Sequence, residues 1–389
     1  MNAKGRIKGW ALAAVAAGLA ASAWAQSEQW LQYKTGAEGI GYTWIELSTS
    51  PPVGVALPKL NAPAWFGRWS TPLDSSGGRW VCLDRARGSG VPDRLYCDRN
   101  GNGRLDDEAP LTPSRREESG NDFEAIKILF KGEDGPVTYH LSLRVLRYGG
   151  DEVRLLAEAG CWYEGKVTLG GKKVMLRLED RNVNGAFNDI AVNAREGDAL
   201  LVGEKLDDST ARLSVGRLLE WEGEYYALEV ARDGAFVKLK RAEGLRLASV
   251  KAPASISSIV VAGENGEFRR KPTNSLFVLP AGDYVVRWWE ITRKDAKGSS
   301  WTLTAYDDAG ALAFEAGAGE AGPLAIGEPL RAVLQASESK NGIAFSLRVQ
   351  GPNGESTQIL KGADRPRAPQ LILASRDGSY RATNSFEYG

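Results

Sequence analysis

Two stretches of this chain place carboxylate and amide oxygens at alternate positions around a glycine. Asp98-Arg99-Asn100-Gly101-Asn102-Gly103-Arg104-Leu105-Asp106-Asp107 is matched by Asp180-Arg181-Asn182-Val183-Asn184-Gly185-Ala186-Phe187-Asn188-Asp189. Such spacing suits a hard divalent cation, because calcium takes about six to eight oxygens and a tightly turned loop aims alternate residues at one point. In the first loop Asp98, Asn100 and Asn102 offer side-chain oxygens, Arg104 offers its carbonyl, and Asp106 stands at the ninth position. Asp180, Asn182, Asn184, the Ala186 carbonyl and Asn188 hold the same places in the second. Gly103 and Gly185 allow the sharp turn. The twelfth-position acid of an EF-hand is missing, since Ala109 and Ala191 stand there, with Glu108 and Asp189 near enough to substitute. Calcium of modest affinity is the expected cofactor, Asn having replaced Asp at two positions of each loop. The same residue types also build metal-free Asx turns.

The loops resemble the shorter nine-position calcium loops of integrin-type propeller repeats, and in part those of dockerins. Each follows an expected strand, Arg94 to Cys97 and Val174 to Leu178, so the repeat reads as two related β modules. Other chemistry has little to work with. The single histidine, His140, lies on the polar side of an alternating strand with Thr138, Ser142 and Arg144, and is expected at the surface. One histidine argues against zinc sites and histidine-based triads. No phosphate loop and no Gly-x-Ser-x-Gly elbow occurs. Of three cysteines, Cys82 and Cys97 flank a short segment and are expected to pair, bracing the strand beside Asp98; Cys161 is expected as a buried small hydrophobe.

The elements that must hold the loops are strands. Apolar residues alternate at Ile126, Ile128 and Phe130; Val137, Tyr139, Leu141, Leu143 and Val145; Val174, Leu176 and Leu178; Trp301 and Leu303; and Ile343, Phe345, Leu347 and Val349. Turn pairs such as Gly170-Gly171, Asp233-Gly234, Asn353-Gly354 and Asp377-Gly378 separate them. The expected fold is all-β: several antiparallel β-sandwich domains, immunoglobulin-like or transthyretin-like, after a signal peptide. The expected divisions are a leader at 1–25, β domains with one calcium-type loop each at 26–152 and 153–248, an immunoglobulin-like domain at 249–324, and a last β domain at 325–389. Ala248 to Ser258 and Gly317 to Gly322 read as linkers.

The leader is read from Lys4, Arg6 and Lys8, the apolar run Trp10 to Ala21, and Ala23 and Ala25 before a cut at Gln26. No cysteine follows to take lipid, so the expectation is a periplasmic or extracellular protein with no transmembrane segment after cleavage. Without the leader's basic residues, 46 Lys plus Arg face 49 Asp plus Glu, a net charge of about −3. Nucleic acid is not an expected partner.

The paired Asp-x-Asn-x-Asn-Gly loops, the turn Leu279-Pro280-Ala281-Gly282-Asp283-Tyr284 and the ending Phe386-Glu387-Tyr388-Gly389 resemble a group of uncharacterised exported bacterial proteins built from several β domains. The resemblance implies fold and not activity. The expected function is a secreted, calcium-stabilised, non-catalytic protein that binds an envelope protein or glycan or has a structural role there. Carbohydrate binding through Trp65, Trp69, Trp80, Trp162, Trp221, Trp288, Trp289 or Trp301 is the alternative, with a carboxylate-based glycoside hydrolase behind it.

Overall fold

The computed structural model describes residues 28–36, 39–86, 90–132, 135–149, 152–190, 196–307, 312–317, 320–339 and 342–388. The leader at 1–25 and its cut before Gln26 lie outside the described residues, as does Ala191. Among those described, every regular element is a β-strand.

The long alternating segments set the architecture. Gly120–Gly132 and Gly135–Tyr148 form a hairpin in which Ile126, Ile128, Phe130, Tyr139, Leu141, Leu143 and Val145 are buried. Period-two patterning puts all of these on one face. Glu152–Ala159, Tyr42–Ile45 and Arg115–Arg116 complete that five-stranded sheet. A second five-stranded sheet runs Leu213–Ser214, Ala199–Gly203, Lys172–Glu179, Cys161–Leu169, Gln32–Thr35. Two four-stranded sheets close this half: Leu47–Ser48, Trp65–Ser70, Gly78–Asp84, Arg94–Cys97, and Glu28–Trp30, Phe236–Arg241, Glu224–Val230, Leu218–Trp221.

One hydrophobic core gathers residues from Leu31 to Val237, so the segments 26–152 and 153–248 pack their apolar faces together. Strand pairing joins them as well: Gln32–Thr35 lies against Cys161–Leu169, and Glu28–Trp30 against Phe236–Arg241. Phe66, Cys82, Tyr96 and Leu105 form a small satellite core under the first loop.

A second main core, from Ala248 to Ile326, lies in the carboxy-terminal half. Its larger sheet runs Gly266–Arg270, Ser258–Gly263, Gly282–Lys294, Ser300–Tyr306, Ser356–Lys361, Gly342–Gln350, Arg331–Ser339, with Ala313–Ala316 beside Gly282–Lys294. Both expected linkers contain strand. Leu247–Lys251 buries Ala248 and Val250 and pairs with Leu276–Pro280, and Glu320–Ala321 joins it in parallel. Small apolar residues at alternate positions filled a sheet where composition alone read as loop.

The two halves meet at a seam of main chain. Arg217 N–H donates to Glu264 O at 2.8 Å and Leu218 N–H to Asn265 O at 3.1 Å. A β-carbon on Gly216 would stand 2.2 Å from Gly266 Cα, so the approach requires glycine. The hairpin Arg331–Ser339/Gly342–Gln350 pairs in register with Ser356–Lys361 at Gln350–Ser356, and its alternating face leaves Leu334 and Ile343 exposed. Alternation there forms strands without burying a face.

Candidate functional site

Both loops leave the sheets where the sequence repeat places them, just after Arg94–Cys97 and Lys172–Glu179, and both fold by the same hydrogen bonds. The first aspartate caps the turn: Asp98 Oδ1 accepts from Gly101 N–H at 2.8 Å and its Oδ2 from Gly103 N–H at 3.0 Å. Asp180 does likewise with Asn184 N–H at 3.2 Å and Gly185 N–H at 2.6 Å. Each asparagine oxygen accepts from the amide two residues on: Asn100 from Asn102, Asn102 from Arg104, Asn182 from Asn184, Asn184 from Ala186. These are Asx turns laid end to end. The tenth-position acid closes the knot, Asp107 accepting from Asn102 Nδ2 at 2.7 Å and Asp189 from Asn182 and Asn184 Nδ2 at 3.0 and 2.6 Å. Glu108, the other candidate substitute, instead receives Arg99 N–H and Nε at 2.8 and 2.7 Å. Arg104 pairs with Asp106 at 2.6 Å, and Asn188 is exposed.

The loops differ in their surroundings. Arg79, almost wholly buried, lies against the first. Its Nη1 is 3.9 Å from Asp98 Oδ1, its Nε is 2.7 Å from Asp74, its Nη2 donates to Leu129 O at 2.9 Å, and it stacks on Phe130 at 4.8 Å. Gly101, at φ 76°, leaves room for it: a β-carbon there would fall 1.9 Å from Nη1. Although burial works against it, hydrogen bonds from Ser76 and the charges of Arg79 and Arg68 hold Asp74 below the usual carboxylate range.

The second loop is built into the main core. Val183, Ala186 and Phe187 are buried, and Val183 takes φ 57° at the position where the first loop has Gly101. A β-branched residue there costs on the order of 1–2 kcal/mol. Trp69 Nε1 donates to Val183 O at 2.7 Å, Tyr139 hydroxyl donates to Asp180 Oδ2 at 2.8 Å, and the two rings stack at 5.5 Å. Asp198, at the foot of the strand Ala199–Gly203, reaches in from outside the repeat. Its Oδ2 accepts from Asp189 N–H at 2.8 Å, its own N–H donates to Asp189 O at 2.9 Å, and its buried Oδ1 has no hydrogen-bond partner. Burial pushes Asp180 up to about 7, and burial together with the charge of Asp180 raises Asp198 well above the carboxylate range. The basic side chain in this loop, Arg181, reaches the carbonyls of Gly197 and Asp198 and the Ser214 hydroxyl.

Among the described residues no group of three His, Cys, Asp or Glu side chains is set to hold a metal. The loops offer a different donor set of carboxylate, amide and carbonyl oxygens, in which each amide oxygen keeps a second lone pair. Asp198 was outside the reach of motif reasoning. Its one signal is an acid just before an apolar strand, Ala199 to Val202.

The cysteine expectation is corrected. Cys82 stands opposite Tyr96 and Cys97 opposite Val81, so the two thiols point to opposite faces of their sheet, one into the satellite core and one into the main core. Directly opposed residues share a face, and neighbours offset by one do not. All three cysteines are free and buried, and burial pushes each thiol up to about 12. His140 is only half exposed, and its Nδ1 lies 2.7 Å from the Tyr33 hydroxyl, which donates to it in the neutral form.

Elsewhere a cleft of about 260 Å³ spans the two halves, with Glu220, Glu222 and Glu267 on its walls. Arg270 pairs with Glu220 at 2.7 Å, Lys172 with Glu222 at 2.7 Å, and the Ser214 hydroxyl donates to Glu267 at 3.0 Å. Of the tryptophans, Trp69 and Trp289 are core residues, while Trp288 takes the outer face under Arg269. Exposed aromatics gather on the outer face of the first five-stranded sheet. Tyr42 and Trp44 lie 6.5 Å apart, and register puts Tyr148 on the same face. No helix among the described residues is long and apolar enough to cross a membrane. No protein-family model, curated protein or solved structure matches the chain.

Proposed function

We propose that this chain is an exported, calcium-stabilised β protein with a binding or structural role at the cell envelope, its partner a protein or glycan of that compartment. The observation that carries the calcium element is the second loop. Its first residue, Asp180, and Asp198 from outside the repeat are both fully buried, and one Asp198 oxygen has no donor. A buried carboxylate without a partner is costly, and a cation removes that cost. The metal stiffens a corner of the fold and does no chemistry. Osmotic-shock fractionation locates the protein, and melting with calcium against EDTA tests the stabilisation. A melting point unmoved by millimolar calcium refutes it.

Tyr42 and Trp44 favour a second reading, that the ligand is a glycan. Two exposed rings on neighbouring positions of one sheet face form a surface on which sugar rings stack. A glycan array with the native protein and Trp44→Ala separates the readings: signals lost in the variant assign the glycan, and uniform silence favours a protein partner. The tie from the Tyr284 hydroxyl back to Pro280 O at 2.8 Å resembles the tyrosine corner of immunoglobulin-like sandwiches and supports that assignment for 249–324.

A further inference from the structure

We propose that the chain takes one calcium ion, not two: the second loop holds it, with Asp198 supplying the carboxylate that the repeat lacks, while the Arg79 guanidinium takes the cation's place at the first. The proposal rests on the calcium reading above and goes beyond it in stoichiometry and in ligand set.

The repeated residues are equivalent in their own hydrogen bonds, so they do not separate the loops. Neighbours outside the repeat do. At the first loop a positive group is already installed, closer to Gly101 than a β-carbon could tolerate and held in place by Asp74 and by the Leu129 carbonyl. A divalent ion beside Asp98 would stand against that guanidinium, and like charges at such range repel strongly in a buried setting. Two further acids of the first loop are paired with arginines, Asp106 with Arg104 and Glu108 with Arg99.

At the second loop the balance differs. Its first acid, Asp180, is joined by a second fully buried acid from outside the repeat, Asp198, while Arg181, whose charge also bears on Asp198, directs its hydrogen bonds to main-chain carbonyls and to Ser214. The unpartnered Oδ1 of Asp198 belongs to a carboxylate whose other oxygen is fixed to the loop at Asp189 N–H. Asp198 is thereby tied to the tenth residue of the loop from the start of the strand Ala199–Gly203, and it brings a carboxylate that the repeat itself does not supply. Asp180, Asn182, Asn184 and the Ala186 carbonyl with Asp198 make an all-oxygen set of the kind calcium selects, and solvent at exposed Asn188 supplies the balance. Asp189 stays with the two asparagine amides and orients them.

Terbium, which substitutes for calcium in oxygen sites, reads the stoichiometry on the unaltered mature protein, with excitation through Tyr139 and Trp69 beside the second loop. Calcium calorimetry on Asp198→Asn and Asp98→Asn, each checked for native circular dichroism, assigns the site. The expected results are one equivalent of ion, affinity weakened at least about tenfold by Asp198→Asn, and affinity within about twofold of native for Asp98→Asn. Two equivalents, an Asp198→Asn protein that binds as before, or loss of binding in Asp98→Asn overturns the assignment and leaves the calcium reading standing. No binding of either ion by the native protein overturns both. If Asp198→Asn is not folded, the terbium stoichiometry and the Asp98→Asn affinity decide on their own.

Discussion

Tyr139→Phe removes one oxygen from the second loop and nothing else of consequence. The ring remains stacked on Trp69 and packed against Phe187, and only the 2.8 Å bond to Asp180 Oδ2 is lost. The acceptor is a buried carboxyl group that burial raises above the usual carboxylate range, so the measurement is made at pH 8 to favour the ionised form, whose bond is charge-assisted. Both partners are inaccessible to solvent, so no water replaces the hydroxyl, and the loss should be about 1.5–3 kcal/mol. Urea unfolding in EDTA, followed by tryptophan fluorescence, measures it. Repeating the substitution in an Asp180→Asn background separates this bond from general packing: the cost there should fall by at least about 1 kcal/mol. A loss below about 0.5 kcal/mol, or an equal loss in both backgrounds, refutes the idea that this hydroxyl anchors the loop to the core.

Gly101→Ala and Gly103→Ala both place a methyl at positive φ, but only the first drives it into Arg79. The first should cost at least about 2 kcal/mol more than the second by thermal or urea unfolding, and equal costs would mean that Arg79 yields freely. Native protein at pH 8 should show no thiol to Ellman's reagent and three after denaturation, with the melting point unchanged by reductant; a native mass two hydrogens short would restore the Cys82–Cys97 pairing. Burial, and then the charge of Lys127, lowers the pKa of His140, so the neutral ring is the form the fold prefers. The stability it contributes is present above the unfolded value of about 6.5 and is lost as pH falls through that value towards the folded one. Its single imidazole resonance should therefore titrate below about 6.5, and a midpoint above that would contradict the burial.

Much of this was legible in the sequence because period-two patterning is local. The hairpin carrying Ile126 to Val145 alternates in sequence as it does in burial, and the repeat located both loops at strand ends. What stayed hidden depends on pairing between distant segments. Whether Cys82 and Cys97 share a face is a matter of register, which no spacing along one strand reveals. Arg79 and Asp198 act on the loops from neighbouring strands, across gaps that no motif spans. His140 met Tyr33 from a strand over a hundred residues earlier. The shared core of the first half arises because strands near residue 30 cross to pair with strands beyond residue 160. The alternating run from Ile343 to Val349 shows the opposite case, a correct strand whose apolar face is only partly covered, with Ile343 exposed and Phe345, Leu347 and Val349 half-buried.

The glycine seam between the halves has a consequence for how this molecule tolerates change. Where side chains set the angle between two bodies, drift in those side chains shifts the angle by degrees, and neighbours compensate. Here main chain lies directly on main chain at Gly216 and Gly266, and any larger residue at either position must part them. Along this line of contact two positions admit no gradual variation, while the side-chain contacts beside it, Arg270 with Glu220 and Ser214 with Glu267, can be exchanged for others.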